Sequence, residues 1–153
     1  MKQVEQSLFA RFWKEVLKNR NRETAIFSDN GGNLRTFLEI EEERTAWRTR
    51  LSAFSAGDCL VAAIGNDPCW PAILLACWDR GLVVTPIEAD LQAAQLERIL
   101  HLTQAQGLIR SNKIQGFDRS PVCWDGLRPN LLKITSGTTG TPRAVRFRET
   151  QLL

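Results

Sequence analysis

Leu131-Leu132-Lys133-Ile134-Thr135-Ser136-Gly137-Thr138-Thr139-Gly140-Thr141-Pro142-Arg143 is the stretch around which the rest of the chain can be read. An apolar run suited to a buried strand empties into a loop of small hydroxyl residues and glycines, and the loop closes on proline and a cation. Gly137 and Gly140 permit positive φ and close approach to a ligand. Ser136, Thr138 and Thr139 offer hydroxyls and backbone amides to anionic oxygens, and Arg143 adds a fixed positive charge. The stretch therefore reads as a phosphate cradle. It is not the Walker loop, because Gly140 is followed by Thr141, Pro142 and Arg143 rather than by lysine and a serine or threonine. A Gly/Thr-rich turn that binds nothing is the alternative these residues leave open.

Upstream, strands and helices alternate. Val4, Leu8, Phe12 and Val16, flanked by Phe9, Trp13 and Leu17, predict an amphipathic helix that ends near Asn19-Arg20-Asn21-Arg22. Ala25–Ser28 and Leu34–Phe37 flank Asp29-Asn30-Gly31-Gly32-Asn33 as a small hairpin. Thr36 caps a second helix running to about Phe54, and Glu39, Glu41, Glu42 and Glu43 in its first turns suit the macrodipole; spread around a helix, they read as a solvated start rather than a metal cluster. Cys59–Ile64 is an apolar run fit for a strand covered on both faces. A helix capped by Asn66 or Asp67, with Pro68 in its first turn, follows and stops at Gly81. Leu82–Pro86 is a second buried strand, Asp90 opens a helix through Leu102, and Gly107–Ile109 is a third short strand. The segment from Asn112 to Asn130 carries no clear pattern. This alternation predicts an α/β fold: a mostly parallel sheet with helices on both faces, preceded by a helix and a small hairpin. Ligands in such sheets bind beyond the carboxyl ends of the strands, where the Thr/Gly loop falls.

Thr135-Ser136-Gly137-Thr138-Thr139-Gly140-Thr141-Pro142-Arg143 closely resembles the signature loop of the AMP-forming adenylating enzymes, which include acyl- and aryl-CoA ligases, luciferases and nonribosomal peptide adenylation domains. Their loop usually ends on lysine, where Arg143 stands here, and Arg143 keeps the charge on a planar fork. Gly57-Asp58, Asn66-Asp67-Pro68, Gly81 and Val83-Val84-Thr85-Pro86 also match the family's order of elements, so the resemblance spans roughly Thr24 to Leu153. It implies an ATP-dependent acid ligase that activates a carboxylic acid as an acyl-adenylate for transfer to CoA, with Mg2+ assisting. Thr135, Ser136, Gly137, Thr138, Thr139, Gly140 and Arg143 would bind the phosphates of ATP, and no catalytic residue is assigned. On this reading residues 1–22 are an N-terminal amphipathic helix and residues 23–153 an incomplete N-terminal part of an adenylation domain. The family's adenine-binding aromatic motif, magnesium-contacting glutamate, ribose-binding aspartate and mobile lysine would all lie downstream. Glu149–Leu153 opens a helix without a cap and reads as truncation, so the fragment alone is expected to lack adenylation activity. The other reading is a non-catalytic nucleotide- or phosphate-binding module, or a remnant acting through protein contacts.

Composition narrows the field. The 153 residues are 43% hydrophobic, with 20 lysines and arginines against 17 acids, a balance that demands neither nucleic acid nor a membrane. Cys59, Cys69, Cys77 and Cys123 form no CxxC pair and read as reduced, mostly buried thiols. With His101 the only histidine, a zinc site is not expected. Neither a membrane-length apolar run nor a signal peptide is present, which makes the cytoplasm the default location. His101 reads as structural, Trp70, Trp78 and Trp124 as core residues with an acyl pocket as the alternative, and Arg146 and Arg148 as solvated charge.

Overall fold

The computed structural model describes residues 8–136 and 141–152. Helix α1 (Leu8–Arg20) precedes an antiparallel hairpin of β1 (Thr24–Phe27) and β2 (Asn33–Thr36). Thr36 then caps α2 (Phe37–Arg50) in a reciprocal box: its hydroxyl accepts from the Glu39 amide at 3.2 Å, and its own amide donates to Glu39 Oε2 at 2.7 Å. The helix ends at Arg50, a turn short of the expected Phe54.

Strand β3 (Cys59–Ala63) is buried at every position, as its unbroken apolar run requires. Helix α3 (Trp70–Asp79) starts later than expected. Asp67 takes the Cys69 amide at 2.9 Å in a preceding turn, so Pro71 rather than Pro68 occupies the first turn, where a missing N–H is harmless. Next come β4 (Val83–Ile87), α4 (Ala93–Leu102), β5 (Gly107–Arg110), β6 (Lys113–Gly116), β7 (Leu131–Ser136) and β8 (Pro142–Phe147). Gln92 precedes α4 without a side-chain cap, so Asp90 does not open it. The expected final helix is a short 3-10 turn, Glu149–Gln151.

Six strands form one sheet in the order β6-β5-β3-β4-β7-β8. β5, β3, β4 and β7 run parallel, while β6 and β8 are antiparallel edges. The period-two alternation of β3 sorts the core into two layers. Leu60 and Ala62 meet Ile40, Trp47 and Leu51 of the α2 region and Ile73 and Ala76 of α3. Val61 and Ala63 meet Leu96, Ile99 and Leu100 of α4 on the other side. The α/β fold with helices on both faces is thus present, and the two antiparallel edges are its addition. No described helix is long and apolar enough to cross a membrane.

The remaining expectations divide. Trp78 is buried and donates to Asn130 O at 2.9 Å, while half-buried Trp124 donates to Gly57 O at 2.8 Å, which satisfies both indoles. The glutamates of α2 are more engaged than a solvated start: Glu41 bonds Arg44 and Trp13, and Glu43 pairs with Arg35 at 2.6 Å. All four cysteines are free, but only Cys59 and Cys77 are buried; Cys69 is half-buried and Cys123 exposed.

Candidate functional site

The Thr/Gly motif bridges β7 and β8. Ser136 pairs with Pro142 and Thr135 with Arg143, so residues 137–141 connect two antiparallel strands. Gly137, Thr138, Thr139 and Gly140 lie outside the described residues. Directly opposed residues of an antiparallel pair share a face, which places Thr135 and Arg143 together with Lys133 and Val145. Arg143 is exposed, and no described residue hydrogen-bonds or ion-pairs with its guanidinium. A hydroxyl beside a free planar cation is an arrangement suited to an anionic oxygen.

The parallel neighbours end at the same edge. β7 joins β4 through the single register pair Val84↔Leu131, because Pro86 has no N–H to extend the ladder. Continued one for one, that register brings Glu88 level with Thr135. Glu88 also borders the turn after β3, where Gly65 adopts φ +56° and donates to Ile87 O at 3.1 Å. A Cβ on Gly65 would sit at ordinary contact distance, 3.4 Å from Glu88 Oε2 and 3.5 Å from the Ala89 nitrogen, so glycine is favoured there by its positive φ rather than by lack of space. In the same turn the Asp67 carboxyl is held below its ordinary value, chiefly by the Cys69 thiol and then by the Cys69 amide. Burial pushes the Cys69 thiol up to about 12, which leaves it a poor nucleophile. Sequence reasoning missed Gly65 and Glu88 as site neighbours, although their places just beyond two predicted parallel strands were a usable signal.

Two cavities flank the sheet. One of about 450 Å³ lies beside the hairpin on the α4 side, with Leu102, Val122, Trp124 and Leu132 among its walls and Arg143 and Arg146 at its margin. Arg146 is not simply solvated: it donates to Asp125 O at 3.0 Å and lies 5.6 Å from the Trp124 ring centroid. The other, about 1010 Å³, lies at the amino ends of the strands, remote from the motif. Among the described residues no group of three or more His, Cys, Asp or Glu is placed to hold a metal.

A model of the AMP-binding enzyme family matches residues 12–128. That match stops before the Thr/Gly motif begins, so motif and family match are separate observations. No curated protein matches the chain. Among solved structures, the N-terminal subdomain of Klebsiella oxytoca NpsA in complex with 3-hydroxybenzoyl-AMSN is similar at a TM-score of 0.71 and 20% identity, over 92% of this chain and 40% of that one. The same subdomain with 3-hydroxyanthranilyl-AMSN gives 0.72 and 21%, over 94% and 41%. VinN in complex with 3-methylaspartate gives 0.69 and 16%, over 89% and 46%. At such identities the likeness establishes the fold alone, and the chain spans less than half the length of these structures.

Proposed function

The chain belongs to the AMP-binding enzyme family, and on that premise we propose that it is part of an enzyme that activates a carboxylic acid with ATP and passes the acyl group to the thiol of CoA. In the first step a carboxylate oxygen attacks the α-phosphorus, the bond to the leaving pyrophosphate breaks, and an acyl-adenylate forms. In the second, the thiol sulfur attacks the acyl carbon, loses its proton and releases AMP.

The observation that carries this reading is the pairing of Thr135 with free Arg143 at the carboxyl edge of the parallel sheet. In the proposal Thr135, Ser136, Gly137, Thr138, Thr139, Gly140 and Arg143 hold the phosphates, and Arg143 opposes charge that builds on the pyrophosphate side. Mg2+, when bound, would supply further neutralisation, although the described residues offer it no ligand cluster. Residues 1–22 are proposed as a helical extension and 23–153 as an incomplete N-terminal part of the adenylation domain. A second reading has a carrier-bound thiol as acceptor, favoured by the similarity, at a TM-score of 0.67 and 19% identity, to an artificially fused adenylation-PCP di-domain, NpsA-ThdA from Klebsiella oxytoca.

Calorimetric titration with ATP tests the phosphate site directly. Binding should be measurable for the unmodified chain and lost in Gly137→Val and Arg143→Ala. Absence of binding in the unmodified, folded chain would remove the proposed ligand role of the loop and leave the non-catalytic remnant.

A further inference from the structure

Away from the Thr/Gly motif, α1, α2 and α3 leave an open groove of about 1010 Å³. Half-buried Trp13 and Leu17 of α1 give it an apolar wall, over a floor of Leu75 and Trp78 of α3 that is already buried. Ala56, Gly81 and Asn130, which precede β3, β4 and β7, close one end. The groove is therefore a strand length, roughly 20 Å, from the motif at the opposite edge.

Its charges fall into two unequal sets. Every carboxylate is engaged: Glu41 accepts from Trp13 Nε1 and from Arg44, Asp79 pairs with Arg44, and Glu149 accepts the Phe9 amide. The cations are not all answered. Lys14, Arg48 and Arg128 line the groove, are exposed, and have no hydrogen-bond or ion-pair partner among the described residues; Arg48 acts on Asp79 only through space. Arg80 donates to the neutral carbonyls of Ser52 and Phe54, so its charge is also uncompensated.

We propose that this groove docks an acidic amphipathic segment of a partner protein. A free phosphate could meet the cations but would leave the half-buried Trp13 and Leu17 wall uncovered. A purely apolar ligand would cover the walls and desolvate unpaired cations, which is costly. A segment with leucines on one side and carboxylates on the other answers both, and charge complementarity makes its capture fast and salt-sensitive. The site is independent of the ATP reading, because groove and motif occupy opposite ends of the strands.

The probe is a fluorescein-labelled peptide of about 15 residues, with leucines at helical spacing and glutamates elsewhere, followed by fluorescence anisotropy. The double charge reversal Arg48→Glu with Arg128→Glu should weaken binding about tenfold or more. Lys14→Gln should weaken it partially. Arg22→Glu with Arg110→Glu, two exposed positions outside the groove, changes net charge equally and should leave binding within about twofold. Circular dichroism checks that each variant is folded. Four results overturn the proposal: no binding to the unmodified chain, equal loss in the control variant, equal binding of a peptide with glutamine for glutamate, or displacement by millimolar inorganic triphosphate, which would mark a small-anion site instead.

Discussion

At the scale of single residues, Gly107 and Glu39 make the sharpest predictions. A Cβ at Gly107 would lie 2.7 Å from Phe54 Cζ and 2.8 Å from Leu60 Cδ2, inside the packed layer between β5 and α2. Gly107→Ala should cost about 1–3 kcal/mol of stability by overpacking. Gly116→Ala, where a Cβ meets nothing within 4 Å, should cost far less. Urea denaturation of both variants compares them, and equal losses would show that the Phe54 ring can move aside. The Glu39 carboxyl is held below its ordinary value of 4.5, first by the Thr36 amide and then by the Thr36 hydroxyl. A carboxylate lowered by folding stabilises the native state fully above its unfolded value and loses that contribution as pH falls through the folded one. Glu39→Gln should therefore be less stable than the unmodified chain at pH 7, with the gap closing below pH 4.5. Thermal melts across that range read the gap, and a constant difference would mean the box works by shape alone.

At the scale of elements, α1 is the clearest case of a helix held by few bonds. It has no fully buried residue, and its attachment relies on Trp13, whose indole donates to Glu41 Oε2 at 2.6 Å, and on Phe9, whose ring centroid lies 4.5 Å from that of Trp78. Trp13→Phe keeps an aromatic ring but removes the donor to a charged acceptor, a loss of about 1–3 kcal/mol. Hydrogen exchange should quicken in α1 more than in β3 or β4, and uniform quickening would mean that α1 unfolds only with the core. The same contrast explains what could be read in advance. β3, β4 and β5 announce themselves as apolar runs because both faces are covered. β6 has a single half-buried apolar side chain, Ile114, on an exposed edge, and so left no periodic trace. β8 was hidden differently: Arg143 and Arg146 look like a basic cluster, and Val145 and Arg146 are exposed in succession, which breaks the alternation of a half-buried strand. Of the candidate site, the motif residues were proposed from their own chemistry, and Gly137, Thr138, Thr139 and Gly140 lie outside the described residues. The nearness of Gly65 and Glu88 depends on strands that are distant in sequence; no local pattern marks it, and only their places just beyond two predicted parallel strands pointed there.

At the scale of the whole molecule, the sheet is unevenly fastened. β3 shares five register pairs with β4 and four with β5, whereas β7 meets β4 at Val84↔Leu131 alone while holding six pairs with β8. The base of the β7–β8 hairpin is tied down through Asn130, which accepts from the Val84 amide at 3.2 Å and from Trp78 Nε1 at 2.9 Å and donates to Phe147 O at 2.8 Å. Nothing comparable among the described residues fastens the end that carries Thr135 and Arg143. The hairpin should therefore open as a unit from its motif end, at a free energy below that of global unfolding. Native-state hydrogen exchange should show β3 and β4 amides exchanging only with global unfolding and β7 and β8 amides exchanging faster. If the motif binds ATP, a ligand at 100 times its dissociation constant should slow the hairpin by the linkage term, about 2.7 kcal/mol or close to a hundredfold, while leaving locally exchanging α1 amides unchanged. Protection of β7 and β8 equal to that of β3 would contradict the uneven fastening. Slowing spread evenly over all locally opening segments would instead place the ligand away from the motif, because a ligand can protect only those openings that destroy its site.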